Sequence, residues 1–346
     1  NNPTEKQRKV FSDFLEKQGL EYEENIEMSL KVVDNHTGEM VGTGSIAGKI
    51  LKCIAIDQTR RGEGLSAHII SQLVKEQHSR GRNHIFVFTD PKNIEETLGN
   101  VFAGFKLIAN TDDIAILEMG TPNINDYLED LKAKVRQANK TPSGIIGSIV
   151  VNCNPFTLGH QYLIETAAKE CDFLYVFVVT EDLSIFPTNV RIKLVKEGTK
   201  HISNMLVLEG GDYIISPATF PRYFMKEYNN LVYSQARLDI TIFSEYIAAT
   251  LGISKRYVGE EPYCLVTKSY NQAMLEILPS KNISLKIIPR KELNGKAISA
   301  SEVRRLLFED NFEAIAEIVP KTTYNFLVSE EARPIIEKIK TSHSRH

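Results

Sequence analysis

The 346-residue sequence has no tryptophan, only four cysteines, and no apolar run near the roughly 18 residues that a membrane-spanning helix needs. Cys53, Cys153, Cys171 and Cys264 are far apart, with no C-x-x-C pair and no histidine at zinc-ligand spacing, which argues against a disulfide framework or a zinc ribbon. Reduced thiols fit this pattern best. Basic charge is not in excess either: 41 Lys and Arg against 44 Asp and Glu leave a net charge of -3, so the basic footprint of a nucleic-acid-binding protein is missing. The first residues, NNPTEKQRKV, are polar and charged and contain no apolar signal core. Together these absences predict a cytoplasmic protein with no nucleic-acid partner and no membrane association.

What is present reads as globular and as two domains. Hydrophobic residues make up 42% and charged residues 25%, ordinary values for packed domains, and the length exceeds what one core usually organises. The stretch TPNINDYLEDLKAKVRQANKTPSG combines one amphipathic polar helix with Pro and Gly breaks, which predicts a helical linker over 121–144 between domains at 1–120 and 145–346. In the first domain, EMVGTGSIAG and ILKCIAID read as paired strands. The glycine-rich turn RRGEG, a helix from Leu65, a strand at HIFVFT and the segment VFAGFKLIAN follow. In the second, short apolar runs (IIGSIVVN, DFLYVFVVT, MLVLEGG, RYVGE, SLKIIP) alternate with helical stretches, the pattern of a doubly wound parallel sheet covered on both faces.

The first of those runs ends abruptly in Asn-Cys-Asn-Pro-Phe-Thr-Leu-Gly-His, residues 152–160, after which the helical pattern QYLIETAAKE begins. In an open parallel sheet, ligands bind beyond the carboxyl ends of the strands. A helix N-terminus placed there offers free N–H groups and partial positive charge to a phosphate. Gly159 leaves room for close approach, while Thr157 and His160 present a hydroxyl and an imidazole on the same turn. A plain reading coexists: Asn154-Pro155 as a turn, Thr157 as an N-cap and His160 as a satisfied surface histidine. About 140 residues downstream comes ISASEVR, with Ser299 and Ser301 at a helix start and Arg304 one turn further on. Serine caps and a solvated arginine are its plain alternative. Arg191, in FPTNVRIKLVKEG, fits either a phosphate contact or an exposed helix position. Gly259 and Glu260 follow a strand and are candidates to contact nucleotide, and no acidic or histidine cluster fixes a metal.

T-L-G-H resembles the (H/T)-x-G-H signature of the nucleotidyltransferase superfamily, and ISASEVR resembles the I-S-x-T/S-x-x-R signature that completes its triphosphate site. The resemblance implies that Thr157 and His160 act on the α-phosphate of ATP, with Asn154, Phe156 and Gly159 in the nucleotide-binding loop. It also implies that Ser299, Ser301 and Arg304 stabilise departing pyrophosphate, and that Mg²⁺ accompanies the nucleotide. In the first domain, Arg61, Gly62 and Gly64 resemble the core of the R/Q-x-x-G-x-G/A pyrophosphate loop of the GNAT family of N-acetyltransferases, with Thr59 where that family has Arg or Gln. No general base is assignable there, so recognition of a CoA-like group is expected in preference to catalysis of acetyl transfer.

The two domains in this order, with NCNPFTLGH, GGDYIISPATFP and GEEPYCLVTKSYN, resemble the citrate lyase ligases. That resemblance spans nearly the whole chain. It implies an AMP-forming acid–thiol ligase that uses ATP and acetate to acetylate the CoA-derived prosthetic group on the acyl-carrier (gamma) subunit of citrate lyase, thereby activating it. The alternatives are an adenylyltransferase acting on phosphopantetheine or nicotinate mononucleotide, and a GNAT-type acetyltransferase.

Overall fold

The computed structural model describes residues 4–23, 25–94, 104–180, 184–220, 230–261 and 265–341. It divides into two compact units, Asn1–Tyr127 and Leu128–His346. The division falls within helix Ile124–Gln137, whose Ile124, Leu128 and Leu131 are buried on one stripe at helical spacing.

The first unit is a six-stranded mixed sheet. Its strands are β1 (Met28–Val33), β2 (Met40–Ala47), β3 (Ile50–Ile56), β4 (His84–Thr89), β5 (Lys106–Asn110) and β6 (Ala115–Gly120), in the order β1-β2-β3-β4-β6-β5. The expected pairing of β2 with β3 is antiparallel. The one parallel pair is β3 with β4, matched only at Ile50/Phe86 and Leu51/Val87, so the two strands part as they run on. Helix α1 (Glu5–Lys17) is held by a Thr4/Gln7 capping box, and α2 (Leu65–Ser79) lies on the sheet through Ile69, Ile70 and Leu73. Gly44 permits that seating: a Cβ there would come within 2.6 Å of Ile69 and 2.8 Å of Leu73.

The second unit is built on five parallel strands: β7 (Ile146–Val151), β8 (Phe173–Val178), β9 (Met205–Glu209), β10 (Lys255–Gly259) and β11 (Ser284–Ile288). Their order is β11-β10-β7-β8-β9. The sheet therefore starts at its centre, grows to one edge, and then crosses over to build the other. Between β7 and β10 the winding reverses, and in such sheets that reversal opens the ligand crevice beyond the strand ends. The continuous apolar run of β8, FLYVFV, is buried along its whole length, as a strand covered on both faces requires.

One face of this sheet packs Ile149, Val151, Leu174, Val176 and Val178 against helices Leu158–Lys169, Thr188–Gly198 and Ala300–Phe308 and the C-terminal helices. Ile149, Leu174 and Val176 are fully buried, each worth roughly 1.5–3 kcal/mol in removal of apolar surface from water. The other face carries Phe177 of β8 edge-on to Phe243, over which the guanidinium of Arg256 also lies. Both expected architectures are thus present, the mixed sheet first and the doubly wound parallel sheet second.

Candidate active site

Beyond β7 the chain makes a tight turn into the helix Leu158–Lys169. Thr157 is its N-cap: the Thr157 hydroxyl accepts from the His160 backbone N–H at 3.3 Å. In return the Thr157 backbone N–H donates to His160 Nδ1 at 3.1 Å, and the Thr157 hydroxyl lies 2.9 Å from the same nitrogen. A backbone N–H can only donate, so Nδ1 is an acceptor and the ring proton sits on Nε2. Burial, helped by the Arg290 charge, lowers the His160 pKa to about 4, so the imidazole is neutral at pH 7. The Thr157 N-cap of the plain reading is therefore present, but it leaves the histidine only partly satisfied. The cap that starts the helix is the device that sets the tautomer, leaving Nε2–H as a donor with no hydrogen-bond partner among the described residues.

The turn itself is held from several sides. Cys153 adopts a left-handed conformation (φ 54°), costly for a residue with a Cβ, and its thiol is fully buried, with its pKa pushed far up by that burial. It is a packing residue and no nucleophile. Asn154 is buried and uses its side-chain oxygen to accept from the Phe186 N–H at 3.0 Å. Phe156 is fully buried, stacked on the His160 ring at 6.0 Å between centroids, and packs where Gly198 leaves room: a Cβ on Gly198 would lie 2.4 Å from it. Its side chain supports the imidazole from inside the core.

The second motif meets the first directly. Ser299 caps helix Ala300–Phe308 by accepting from the Glu302 N–H at 3.2 Å, and its hydroxyl is 3.0 Å from that of Ser301. Arg304 donates from Nη1 to the Asn154 carbonyl at 2.5 Å. A Cβ on Gly159 would stand 3.0 Å from the Ile298 carbonyl, which shows how closely the two helix starts approach. Two helix N-termini, one neutral imidazole donor, two hydroxyls and a half-buried arginine thus converge at the carboxyl end of β7.

One further cation belongs to this cluster, and no motif in the sequence marks it. Arg290 follows β11, donates from Nε to the Glu260 carbonyl at 2.8 Å, pairs with the Glu261 carboxylate, and bears electrostatically on His160. A short hairpin, Glu292–Leu293 with Lys296–Ala297, closes behind it, and the Ile298 N–H returns to the Lys291 carbonyl at 3.0 Å. That detour separates Arg290 from Ser299 in sequence but not in space. Gly259 ends β10 beside it, and Glu260 follows. Glu260 contributes backbone there, its N–H donating to Ile288 at 2.9 Å, while its side chain is exposed. A Cβ on Gly259 would meet only Leu163 at 3.8 Å, so packing alone does not require glycine.

Arg191 departs from both sequence expectations. It is neither exposed nor turned to the crevice: it is fully buried and donates to carbonyl oxygens at the ends of β7 and β8. Its helix, Thr188–Gly198, is amphipathic, and a single sequence does not reveal that this one polar residue points inward.

The first unit carries its own turn. Gly62 (φ 85°) and Gly64 (φ 75°) adopt left-handed conformations that glycine takes readily, and Gly64 opens α2 with no side-chain cap. A Cβ at either would meet nothing within 4 Å, so the loop is open, and Arg61 and both glycines are exposed. Thr59 is exposed, and its hydroxyl donates to the neighbouring Asp57 carboxylate at 2.6 Å. Phe102 and Cys264 lie outside the described residues. Among the described residues no helix is long and apolar enough to cross a membrane, and no group of three His, Cys, Asp or Glu side chains is placed to hold a metal ion.

A central parallel sheet, a capped helix start with a neutral histidine donor, and a second capped helix locked onto the same turn give the second unit a nucleotidyltransferase-type α/β fold, and the first unit has a GNAT-like mixed sheet. The family model of the citrate lyase ligase C-terminal domain matches residues 146–327. The chain is 40% identical over 326 residues to the citrate (pro-3S)-lyase ligase of Klebsiella pneumoniae, covering 93% of this chain and 92% of that one. It is 38% identical over 322 residues to that of Escherichia coli K12, covering 91% and 89%. Among solved structures, Thermotoga maritima TmcAL bound with alpha-thio ATP overlaps 56% of this chain and 57% of its own at 13% identity and a TM-score of 0.37. On its relatives and its family model, the chain belongs to the citrate lyase ligase family.

Proposed function

We propose that the chain adenylates acetate with ATP and passes the acetyl group to the thiol of the CoA-derived prosthetic group on the acyl-carrier subunit of citrate lyase. AMP and pyrophosphate are released. The observation that supports this reading is the junction of the two motifs, Arg304 on the Asn154 carbonyl and Ile298 against Gly159, which brings together chain segments far apart in sequence.

The residues suit a triphosphate. The Nε2–H of neutral His160 and the N-terminus of its helix donate to the α-phosphate, and Gly159 presents no side chain to obstruct it. An acetate oxygen forms a bond to the α-phosphorus as the bond to the bridging oxygen of the β-phosphate breaks, and pyrophosphate takes that electron pair. Ser299, Ser301, Arg304 and Arg290 surround the charge that grows on the leaving group. The carrier's sulfur then attacks the acetyl carbon of the mixed anhydride, the bond to AMP breaks, and the thiol proton passes to the phosphate or to solvent. Mg²⁺, which neutralises phosphate charge, would arrive on the nucleotide and be held largely by phosphate and water. In the first unit, Arg61, Gly62 and Gly64 would take the pyrophosphate of the CoA-like arm. ATP and a free thiol as substrates suit the cytoplasm.

The test is ATP turnover by the purified chain with acetate and deacetylated citrate lyase. Equal amounts of AMP and pyrophosphate, and an acetylated carrier, are expected. A stable nucleotidyl product, or turnover indifferent to acetate, would replace this reading with that of a plain adenylyltransferase.

A further inference from the structure

The turn that carries His160 is strained and does not hold itself. Cys153 stands at φ 54° immediately after β7, and the residues on either side of it are fastened to a different segment, 184–191. Arg191 does most of the fastening. Its Nη1 donates to the Asn152 carbonyl at 3.0 Å, to the Asn152 side-chain oxygen at 2.9 Å and to the Val179 carbonyl at 2.5 Å. Its Nε donates to the Phe186 carbonyl at 3.0 Å and its Nη2 to the Thr188 hydroxyl at 2.8 Å. Ser184 adds a hydroxyl to the Asn152 side chain at 3.2 Å, and the Phe186 N–H holds Asn154.

We infer that Arg191 is a positioning residue of the adenylation step: its buried guanidinium ties the carboxyl ends of β7 and β8 together and keeps the strained Asn152–Asn154 turn in the one conformation that aims His160 at the α-phosphate. A planar fork with five donors can engage oxygens from four residues at once, which an ammonium cannot. A left-handed non-glycine residue persists only where its surroundings over-determine it, and these hydrogen bonds supply that constraint. A displacement of the donor by about 1 Å suffices to cost on the order of 100-fold in rate. Arg191 itself lies inside the core and touches no substrate. The inference rests on the adenylation reading above.

Its test compares wild type with Arg191→Lys and Arg191→Ala, measuring acetate-dependent ATP–pyrophosphate exchange, ATP affinity by calorimetry, and thermal unfolding of the same samples. Wild-type exchange reports on the adenylation reading alone, so failure of that reading shows before any variant is compared. Expected for folded variants is a fall in kcat of about 100-fold with ATP affinity changed less than about threefold, and recovery of at least tenfold in the Ala variant on adding guanidinium ion. Exchange within about threefold of wild type in a folded variant would overturn the inference. So would a loss that only follows the unfolded fraction and does not respond to guanidinium.

Discussion

The turns that lead into α2 of the first unit and into helix Leu158–Lys169 of the second are built on opposite principles. The turn before α2 in the first unit has left-handed glycines, no side-chain cap, and open space around each absent Cβ. Its conformation is inexpensive and its backbone is presented to solvent. The turn before Leu158–Lys169 in the second unit places a left-handed cysteine in the core, closes a capping box with a histidine, and is fastened by arginines from two other helices. The first suits a pliable grip on a pyrophosphate carried by a mobile arm. The second suits a reacting phosphate, where preorganised donors lower the barrier because nothing has to reorganise as charge develops.

The sharpest way to break this comparison is His160→Ala. A fall of at least about 100-fold in acetate-dependent ATP–pyrophosphate exchange is expected, the cost of removing a preorganised transition-state donor. Retained exchange would mean that the second turn is only a capped helix. Replacing Gly62 and Gly64 together by Val should strain the open turn. Acetyl transfer to the carrier is expected to drop about tenfold or more, consistent with losing a few kcal/mol of backbone conformation and contact, while exchange stays intact. If transfer is unchanged, the first turn does not hold the arm.

Thr157→Val separates capping from catalysis. It removes the side-chain acceptor at the helix start, worth about 1 kcal/mol in stability, and one of the two donors facing His160 Nδ1. Denaturant unfolding should show that loss, and exchange should fall by less than about tenfold because the backbone donor at Thr157 remains. Thr157→Ser should sit near wild type in both.

Acidity gives the smallest effect. His160 titrates near 4 in the folded chain against about 6.5 in an unfolded one, so between those values the unfolded state binds a proton that the folded state does not. Stability is therefore lost as pH falls through that window, and none of it is lost at neutral pH. Wild type should lose more stability between pH 6.5 and 4 than His160→Gln, as followed by chemical denaturation at each pH. An equal loss would mean that folding does not depress the His160 pKa. Exchange in wild type should likewise show no acid limb near 6.5 from this residue.

Much of this was legible in the chain. The apolar runs with intervening helical patterns predict a parallel sheet because strands covered on both faces have no polar alternation to show. T-L-G-H and I-S-A-S-E-V-R are readable because each is one short stretch of backbone at a helix start, where spacing and geometry are nearly the same thing. Arg290 was not, because a hairpin with its turn at Asn294 (φ 52°) and Gly295 (φ 73°) lies between it and Ser299. Arg191 was misread because a polar residue on an amphipathic helix is ordinarily outside. The burial of Phe156 beneath His160 depends on a gap left by Gly198 on another helix, which no local pattern around Phe156 shows.

The sequence by itself determined the parallel sheet and the strand end from which the T-L-G-H turn leaves, since both follow from local pattern and the handedness of parallel sheets, and its motifs pointed to the histidine proposed to act there. Tertiary structure decided which cations face that site and which are spent inside, and which tautomer His160 carries. Those outcomes depend on burial and on hydrogen bonds between segments up to 150 residues apart, the separation of Arg304 from Asn154. Neither is a property of any short stretch of chain.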